Sequence, residues 1–112
     1  MKVDFSMQGA TLVVMINGEV DHHTSVALRE NVDREFQKRR ARSILFDFNN
    51  IVFMDSSGIG LLMGRYRTVA ISGGSIALFN VKPKVNQMLE LSGIYKLMRA
   101  YENKDEALAQ LA

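Results

Sequence analysis

The sequence predicts a single α/β domain with a mixed sheet of four to five strands and about four packed helices. Short apolar runs, which suit buried strands, alternate with segments whose apolar residues recur at helical spacing. A hairpin pattern opens the chain, and helices between the later strands imply parallel crossover connections. The 112 residues contain neither an internal repeat nor a linker-like stretch, so we expect one domain that spans residues 1–112.

The first two predicted strands form a hairpin. Alternate residues of the segment 3–7 are apolar, which is the period of a strand with one buried face. Residues 8–10 predict a turn, and the continuous apolar run at 12–16 predicts a second, more buried strand. We expect that strand to end at Asn17 and Gly18, because this pair is typical of turns.

A surface helix follows the hairpin. Its apolar residues recur every four positions, at Leu28, Val32 and Phe36. This spacing gives one narrow apolar stripe, and the helical pattern runs to about Arg39. Asp21 or Thr24 is expected to cap the N-terminus, because a side-chain oxygen there accepts hydrogen bonds from the free N–H groups of the first turn.

The middle of the chain contains a strand at 44–48 and a second helix that begins near Ser57. Asn49 and Asn50 break the strand, and the apolar run at 51–54 leads into the helix. The predicted buried stripe of this helix consists of Ile59, Leu62, Met63, Tyr66 and Ala70.

The last third of the chain repeats the alternation of strand and helix. A strand is predicted at 76–79, and a helix starts at Pro83, since the first helical turn tolerates proline. A short edge strand is predicted at 97–98. The final helix has N-cap and N3 spacing at its start, with Asn103 at the N-cap and Glu106 at N3.

Composition excludes several classes of protein. The chain has no cysteine, which removes disulfides and thiol chemistry. Its 14 basic and 12 acidic residues nearly balance, so we expect no direct nucleic-acid binding and interpret the basic run at 38–42 as a helix end. Neither a signal peptide nor an apolar run of about 20 residues is visible. We therefore expect a cytoplasmic protein that does not bind a membrane.

The most reactive-looking stretch lies at the start of the second helix. Asp55, Ser56 and Ser57 precede Gly58 and Gly60, although a single side-chain oxygen suffices to cap a helix. We interpret the glycines as positions where another molecule approaches the backbone. A helix N-terminus carries partial positive charge and free N–H groups, so it tolerates a phosphate. The alternative is that these residues only cap the helix.

A hydrolytic triad is a second hypothesis for these residues. Ser56 or Ser57 would be the nucleophile, His22 or His23 the base, and Asp21 the group that orients the histidine. A nucleophile elbow requires glycine two positions before the serine, but methionine stands two positions before Ser56. We therefore expect no catalytic residue.

Nucleotide binding and metal binding are two further hypotheses. Gly58, Gly60 and Gly64 resemble a dinucleotide fingerprint whose third glycine comes one residue late. A nucleotide-binding module with weak hydrolase activity is therefore kept as an alternative function. His22 and His23 are adjacent, which is not the i, i+4 spacing of metal ligands on a helix. We expect neither a metal nor a cofactor.

Four motifs resemble a known family. They read GEVDHHT at 18–24, FMDSSGIG at 53–60, GRY at 64–66 and LSGI at 91–94. Together they resemble the sporulation anti-sigma factor antagonists, a group of STAS-domain proteins, and the similarity runs nearly end to end. The Asp-Ser-Ser-Gly pattern is shared by many anti-sigma factor antagonists, whereas the Asp-His-His segment is typical of the sporulation type.

The resemblance implies a STAS-type fold and a regulatory protein without enzyme activity. The unphosphorylated form would bind an anti-sigma factor that is also a serine kinase, and would thereby release a sporulation sigma factor. The kinase would phosphorylate the antagonist, and a serine phosphatase would restore it. A related regulator of the general stress response is the alternative within the same family. We expect a monomer when the protein is free.

The resemblance also implies which residues act. The serine that follows the aspartate is the phosphorylated one in this family, which corresponds to Ser56. The partner-facing surface is predicted at the start of the second helix and at the Asp-His-His segment. Its residues are Asp21, Asp55, Ser56, Ser57, Gly58 and Ile59.

Overall fold

The computed structural model describes residues 2–111, which form six strands and four α-helices. The strands are β1 (Lys2–Gln8), β2 (Thr11–Val20), β3 (Ser43–Asp47), β4 (Ile51–Met54), β5 (Ile76–Phe79) and β6 (Arg99–Tyr101). The helices are α1 (Thr24–Lys38), α2 (Ser56–Ile71), α3 (Pro83–Ser92) and α4 (Lys104–Leu111), with a short 3-10 turn at Ile94–Lys96. The predicted α/β class with a mixed sheet is confirmed.

The strands form one mixed sheet in the order β1-β2-β3-β5-β6. The hairpin pair β1 and β2 is antiparallel, and the other pairs are parallel. The short strand β4 lies off this path and pairs in parallel with the last residues of β2, beyond those that pair with β3. This β2–β4 pair positions the candidate site.

Helices cover both faces of the sheet. Residues of α1, α2 and α3 pack with Leu12, Val14 and Ile16 of β2 in the larger apolar cluster. Ala107 of α4 packs on the opposite face, against Val13 and its neighbours on β3 and β5. Because residues 12–16 of β2 are covered on both faces of the sheet, this part of the strand is continuously apolar rather than alternating.

The predicted end of the second strand at Asn17 and Gly18 is wrong. Gly18 adopts a φ of 111°. Gly18 pairs with Ile51 and Glu19 pairs with Phe53, so Val52 is an extra residue that forms a β-bulge on β4. Beyond the bulge, β2 continues to Val20 and pairs with residues 51–54. These residues therefore form a strand of their own rather than a lead-in to the helix, and the sheet has six strands instead of four to five.

The helical stripe predicted for α2 is only partly correct. Leu62 is buried, and Ile59 and Tyr66 pack half-buried against the core, but Met63 and Ala70 are exposed. The buried positions are Gly58, Leu61, Leu62, Arg65 and Val69. The buried face of α2 contains a glycine and an arginine. A stripe predicted from the apolar residues alone therefore lies to one side of the face that is actually buried.

Two smaller differences concern the last third of the chain. The edge strand β6 comprises Arg99–Tyr101 rather than residues 97–98, because the 3-10 turn before it extends the connection. The predicted cap of α4 is confirmed, since the Asn103 side chain accepts a 2.8 Å hydrogen bond from the N–H of Glu106.

Candidate functional site

The candidate site lies where β2 and β4 end side by side. Val20 and Met54 are paired in parallel, so the residues that follow them, Asp21 and Asp55, leave the sheet at the same edge. The N–H of Asp55 donates a 3.1 Å hydrogen bond to the carbonyl of Val20. The parallel pairing thus brings together two sequence segments that lie more than thirty residues apart.

Asp55 is the N-cap of α2. Its Oδ1 accepts a 2.8 Å hydrogen bond from the N–H of Ser57, and its carbonyl accepts one of 3.0 Å from the N–H of Gly58. The helix therefore begins at Ser56, one residue earlier than predicted. Because Asp55 does the capping, Ser56 is an exposed residue of the first helical turn that is not itself the cap.

Asp21 organises the turn that leads into α1. Its Oδ1 accepts 2.9 Å hydrogen bonds from the N–H groups of His23 and Thr24. The Thr24 hydroxyl in turn accepts one from the N–H of Asp21 and donates one to the carbonyl of Glu19. The N–H of Thr24, the Thr24 side chain and the N–H of His23 favour the ionised form and lower the pKa of Asp21.

The two histidines are exposed, and their ring centroids lie 5.9 Å apart. Asp21 directs its carboxylate to the backbone N–H groups and hydroxyl of its own turn, which is not the orienting role that a triad requires. Within residues 2–111 no cluster of three or more His, Asp or Glu side chains is placed to hold a metal ion.

Gly58 differs from its sequence-based interpretation. It is buried, and a Cβ atom there would overlap Cγ and Sδ of Met54. Gly58 is therefore required for the close packing of α2 on β4, rather than for the approach of another molecule. A Cβ at Gly60 would meet nothing within 4 Å, so that glycine does leave open space.

The other predicted partner-binding residues lie at or near the surface. Ser56 is exposed, and Asp21, Asp55, Ser57 and Ile59 are half-buried. Ile59 contacts the core with part of its side chain. The structure brings Asp21 and the start of α2 to one edge of the sheet. The assignment of these residues to a partner-binding surface rests on the family resemblance and stays a prediction.

Two exposed apolar residues adjoin the site and were not predicted. Val52 is 71% exposed and Phe53 is 50% exposed, since both point away from the core while Ile51 and Met54 are buried. They line a groove of about 470 Å³ between β4 and α3, with Lys82 and Lys84 at its rim. The apolar run at 51–54 gives no sequence signal for this exposure, because such runs are typical of buried strands.

The chain resembles known proteins along nearly its whole length. The family model described as STAS domain matches residues 2–107. An anti-sigma F factor antagonist of Paenibacillus polymyxa is 37% identical over 111 residues, which cover 99% of this chain and 95% of the relative. An anti-sigma-B factor antagonist of Staphylococcus aureus is 24% identical over 105 residues, which cover 94% of this chain and 96% of the relative.

The solved structures of SpoIIAA have the same fold. The anti-sigma factor antagonist SpoIIAA in its unphosphorylated form superposes with a TM-score of 0.83 at 29% identity, covering 97% of this chain and 95% of that one. The Bacillus cell fate determinant SpoIIAA in its phosphorylated form gives a TM-score of 0.74 at 28% identity, covering 97% of this chain and 98% of that one. None of the helices formed by residues 2–111 has the length and apolar character needed to cross a membrane.

Proposed function

The chain belongs to the STAS domain family and, within it, to the anti-sigma factor antagonists; on that premise we propose a phosphorylation-controlled switch. The unphosphorylated protein binds an anti-sigma factor that is also a serine kinase, and so releases a sporulation sigma factor. The kinase phosphorylates Ser56, which ends the binding, and a serine phosphatase restores it. The switch operates in the cytoplasm, where kinase and ATP are available, and the free protein is a monomer without enzyme activity.

The observation that carries the proposal is the position of Ser56. It is exposed, it is the first residue of α2, and the capping role belongs to its neighbour Asp55. A kinase can therefore modify the Ser56 hydroxyl without removing a hydrogen bond that holds the helix start. The relative SpoIIAA has been solved in a phosphorylated form, which supports the same chemistry here.

A phosphate at Ser56 is nearly neutral for the isolated domain. The N-terminus of α2 favours the negative group by about 0.3–1 kcal/mol. Asp55 opposes a group of about −1.5 to −2 charge by about 1–2 kcal/mol, for a separation of about 5–6 Å in water. We therefore expect little change of fold on phosphorylation.

An interface changes this balance. Burying an unpaired dianion costs several kcal/mol, and each 1.4 kcal/mol weakens binding about tenfold. Asp21 and Asp55 already give this edge of the sheet two carboxylates, so a phosphate would make a concentrated negative cluster. Loss of binding then follows from local charge, without a conformational change.

The proposed partner surface consists of two adjoining parts: the edge of the sheet with its charged and polar residues, and the exposed apolar residues of β4. Asp21, Asp55, Ser56, Ser57 and Ile59 form the first part, and Gly58 contributes by holding α2 close to β4. The exposed side chains of Val52 and Phe53 extend it, because contiguous exposed apolar residues beside polar ones are typical of protein interfaces.

A stress-response antagonist is the second candidate. The similarity to the anti-sigma-B factor antagonist of Staphylococcus aureus supports it, and the phosphorylation chemistry would be the same. The chain is 37% identical to the anti-sigma F factor antagonist but only 24% identical to the anti-sigma-B factor antagonist, and this difference favours the sporulation assignment. Binding assays with the two kinds of anti-sigma factor from the same genome distinguish the candidates.

The test of the proposal is the affinity of Ser56→Asp for the anti-sigma factor, measured by calorimetry. We expect binding at least about tenfold weaker than that of the wild type, because the variant puts a charge into the interface. Ser6→Asp is the control, since it adds the same charge on the exposed edge strand β1. Full-strength binding by Ser56→Asp would contradict the proposal.

A further inference from the structure

The groove between β4 and α3 is only partly accounted for by the proposed partner surface. That surface includes Val52 and Phe53 on one wall of the groove, whereas the other wall is formed by Val85 and Met88 of α3. Val85 and Met88 are half-buried and pack against the core. The groove has a volume of about 470 Å³, which lies within the range of about 300–1,000 Å³ for ligand sites.

The groove lies at a gap in the sheet. β3 pairs with residues 11–15 of β2 and β4 pairs with residues 18–20, so β4 continues the line of β3. β5 pairs with β3 but ends at Phe79, whose carbonyl accepts a 3.0 Å hydrogen bond from the N–H of Phe48. Within residues 2–111, β4 pairs with no strand other than β2. One edge of β4 therefore faces the start of α3 across the groove and has no strand beside it.

The free edge of β4 lacks the usual protection against pairing with another chain. An unpaired edge presents N–H and C=O groups to any extended segment, and proteins protect such edges with charged residues, proline or a covering element. The four residues of β4 are all apolar, and Val52 and Phe53 are exposed. Addition of an extended peptide as a further strand is an established mode of recognition at such edges.

The start of α3 adds positive charge to the groove. Lys82 is the N-cap residue and Lys84 lies in the first turn, and both are exposed. No side chain caps this helix, and its first turn has no acidic residue, although helix N-termini favour negative groups and disfavour cations. Within residues 2–111 neither lysine forms a salt bridge. The two lysines and the free N–H groups of the first turn therefore complement carboxylates from outside the fold.

We propose that the groove binds an extended acidic segment of a partner protein, which adds to the free edge of β4 as a further strand. Its acidic side chains contact Lys82 and Lys84, and its apolar side chains pack between Phe53 and Met88. A segment that alternates acidic and apolar residues supplies both contacts, because successive side chains of a strand point to opposite faces. A second copy of this chain fits poorly, since pairing at this edge would place the lysines of both copies beside the same two strands.

The test is a titration of the isotopically labelled full chain with a short peptide of alternating glutamate and valine residues, followed by amide NMR. We expect saturable shifts at Val52, Phe53 and Val85, together with slower hydrogen exchange in β4, because strand addition gives its free edge hydrogen-bond partners. A control peptide with lysine in place of glutamate should bind at least about tenfold more weakly, since its charges repel the two lysines of the groove.

Two variants test the two kinds of contact. Lys84→Glu should bind the acidic peptide at least about tenfold more weakly. It should stay folded, as checked by thermal unfolding, because an acidic residue suits a helix start. Phe53→Ser removes apolar contact but no charge, and should also weaken binding. Lys96→Glu is the control, because Lys96 is exposed and does not line the groove.

Several results would overturn the proposal. They are shifts that do not saturate, equal binding of the acidic and basic peptides, saturable binding without slower exchange in β4, and wild-type binding by Lys84→Glu. Shifts at β4 that appear on raising the protein concentration without peptide would identify a second copy as the occupant instead. The experiment uses neither the anti-sigma factor nor phosphorylation, so a negative result leaves the proposed switch intact.

Discussion

The N–H of Asp55 donates a 3.1 Å hydrogen bond to the carbonyl of Val20, and this contact fastens the start of α2 to the end of β2. It has two consequences for the site. Asp21, the residue after Val20, comes to the same edge of the sheet as Asp55. Asp55 is also held in place as the N-cap, and its neighbour Ser56 is exposed.

Replacing Asp55 by alanine is expected to lower the free energy of unfolding by about 1 kcal/mol, since it removes the side-chain oxygen that accepts the N–H of Ser57. Urea unfolding measures the change. Asp55→Asn keeps an acceptor at the same position and is expected to stay within about 0.5 kcal/mol of the wild type. Equal losses in the two variants would argue against the capping role.

Gly58→Ala is expected to destabilise the protein by about 1–3 kcal/mol, because the added methyl group overlaps the buried Met54 side chain. Gly60→Ala is the matched control two residues along the same helix. Its methyl group enters open space, so we expect a gain of about 0.5–1 kcal/mol from helix propensity. Thermal or urea unfolding of both variants checks the predicted opposite signs.

Asp33→Asn is expected to cost about 1–3 kcal/mol of stability, because it leaves the buried guanidinium of Arg65 without its counter-charge. The cost stays below that of a fully buried pair, since the Asp33 side chain is 39% exposed. Glu35→Gln breaks the other ion pair of α1, with Arg39, which is also 2.8 Å long. For that surface pair we expect a loss of about 1 kcal/mol or less, and urea unfolding compares the two.

The lowered pKa of Asp21 predicts how the stability of the protein depends on pH. The fold favours the ionised carboxylate, so its contribution is complete above the unfolded-state pKa of about 3.9. It is lost as the pH falls through the lower pKa of the folded state. The stability difference between wild type and Asp21→Asn should therefore be larger near pH 7 than at about pH 3. A difference that is constant or grows on acidification would contradict the assignment.

Much of the fold was predictable because local patterns and packing agree. The alternation in β1, the proline at the start of α3 and the cap of α4 each have a local physical cause. The continuation of β2 through Asn17 and Gly18 was not predictable, since Asn-Gly is also a common turn. Only the long-range pairing of β2 with β4 shows that the strand continues.

The candidate site was predicted in part. The polar residues at a helix start indicated Asp55 and Ser56. Asp21 was included only through the family resemblance, because the proximity of Asp21 to the start of α2 depends on the pairing of distant strands. The burial of Arg65 could not be predicted, since the apolar period of a helix assigns charged residues to its exposed face. The exposure of Val52 and Phe53 could not be predicted either, because a short apolar run has the same sequence pattern whether its side chains are exposed or buried.

The most direct measurement for the central claim is the intact mass of the protein after incubation with ATP, with and without the anti-sigma factor kinase of the same genome. We predict one added phosphate that requires the kinase and maps to Ser56. Ser56→Ala should lose it, and Ser57→Ala should retain it. No phosphate with an active kinase, or a phosphate that persists in Ser56→Ala, would contradict the proposed switch.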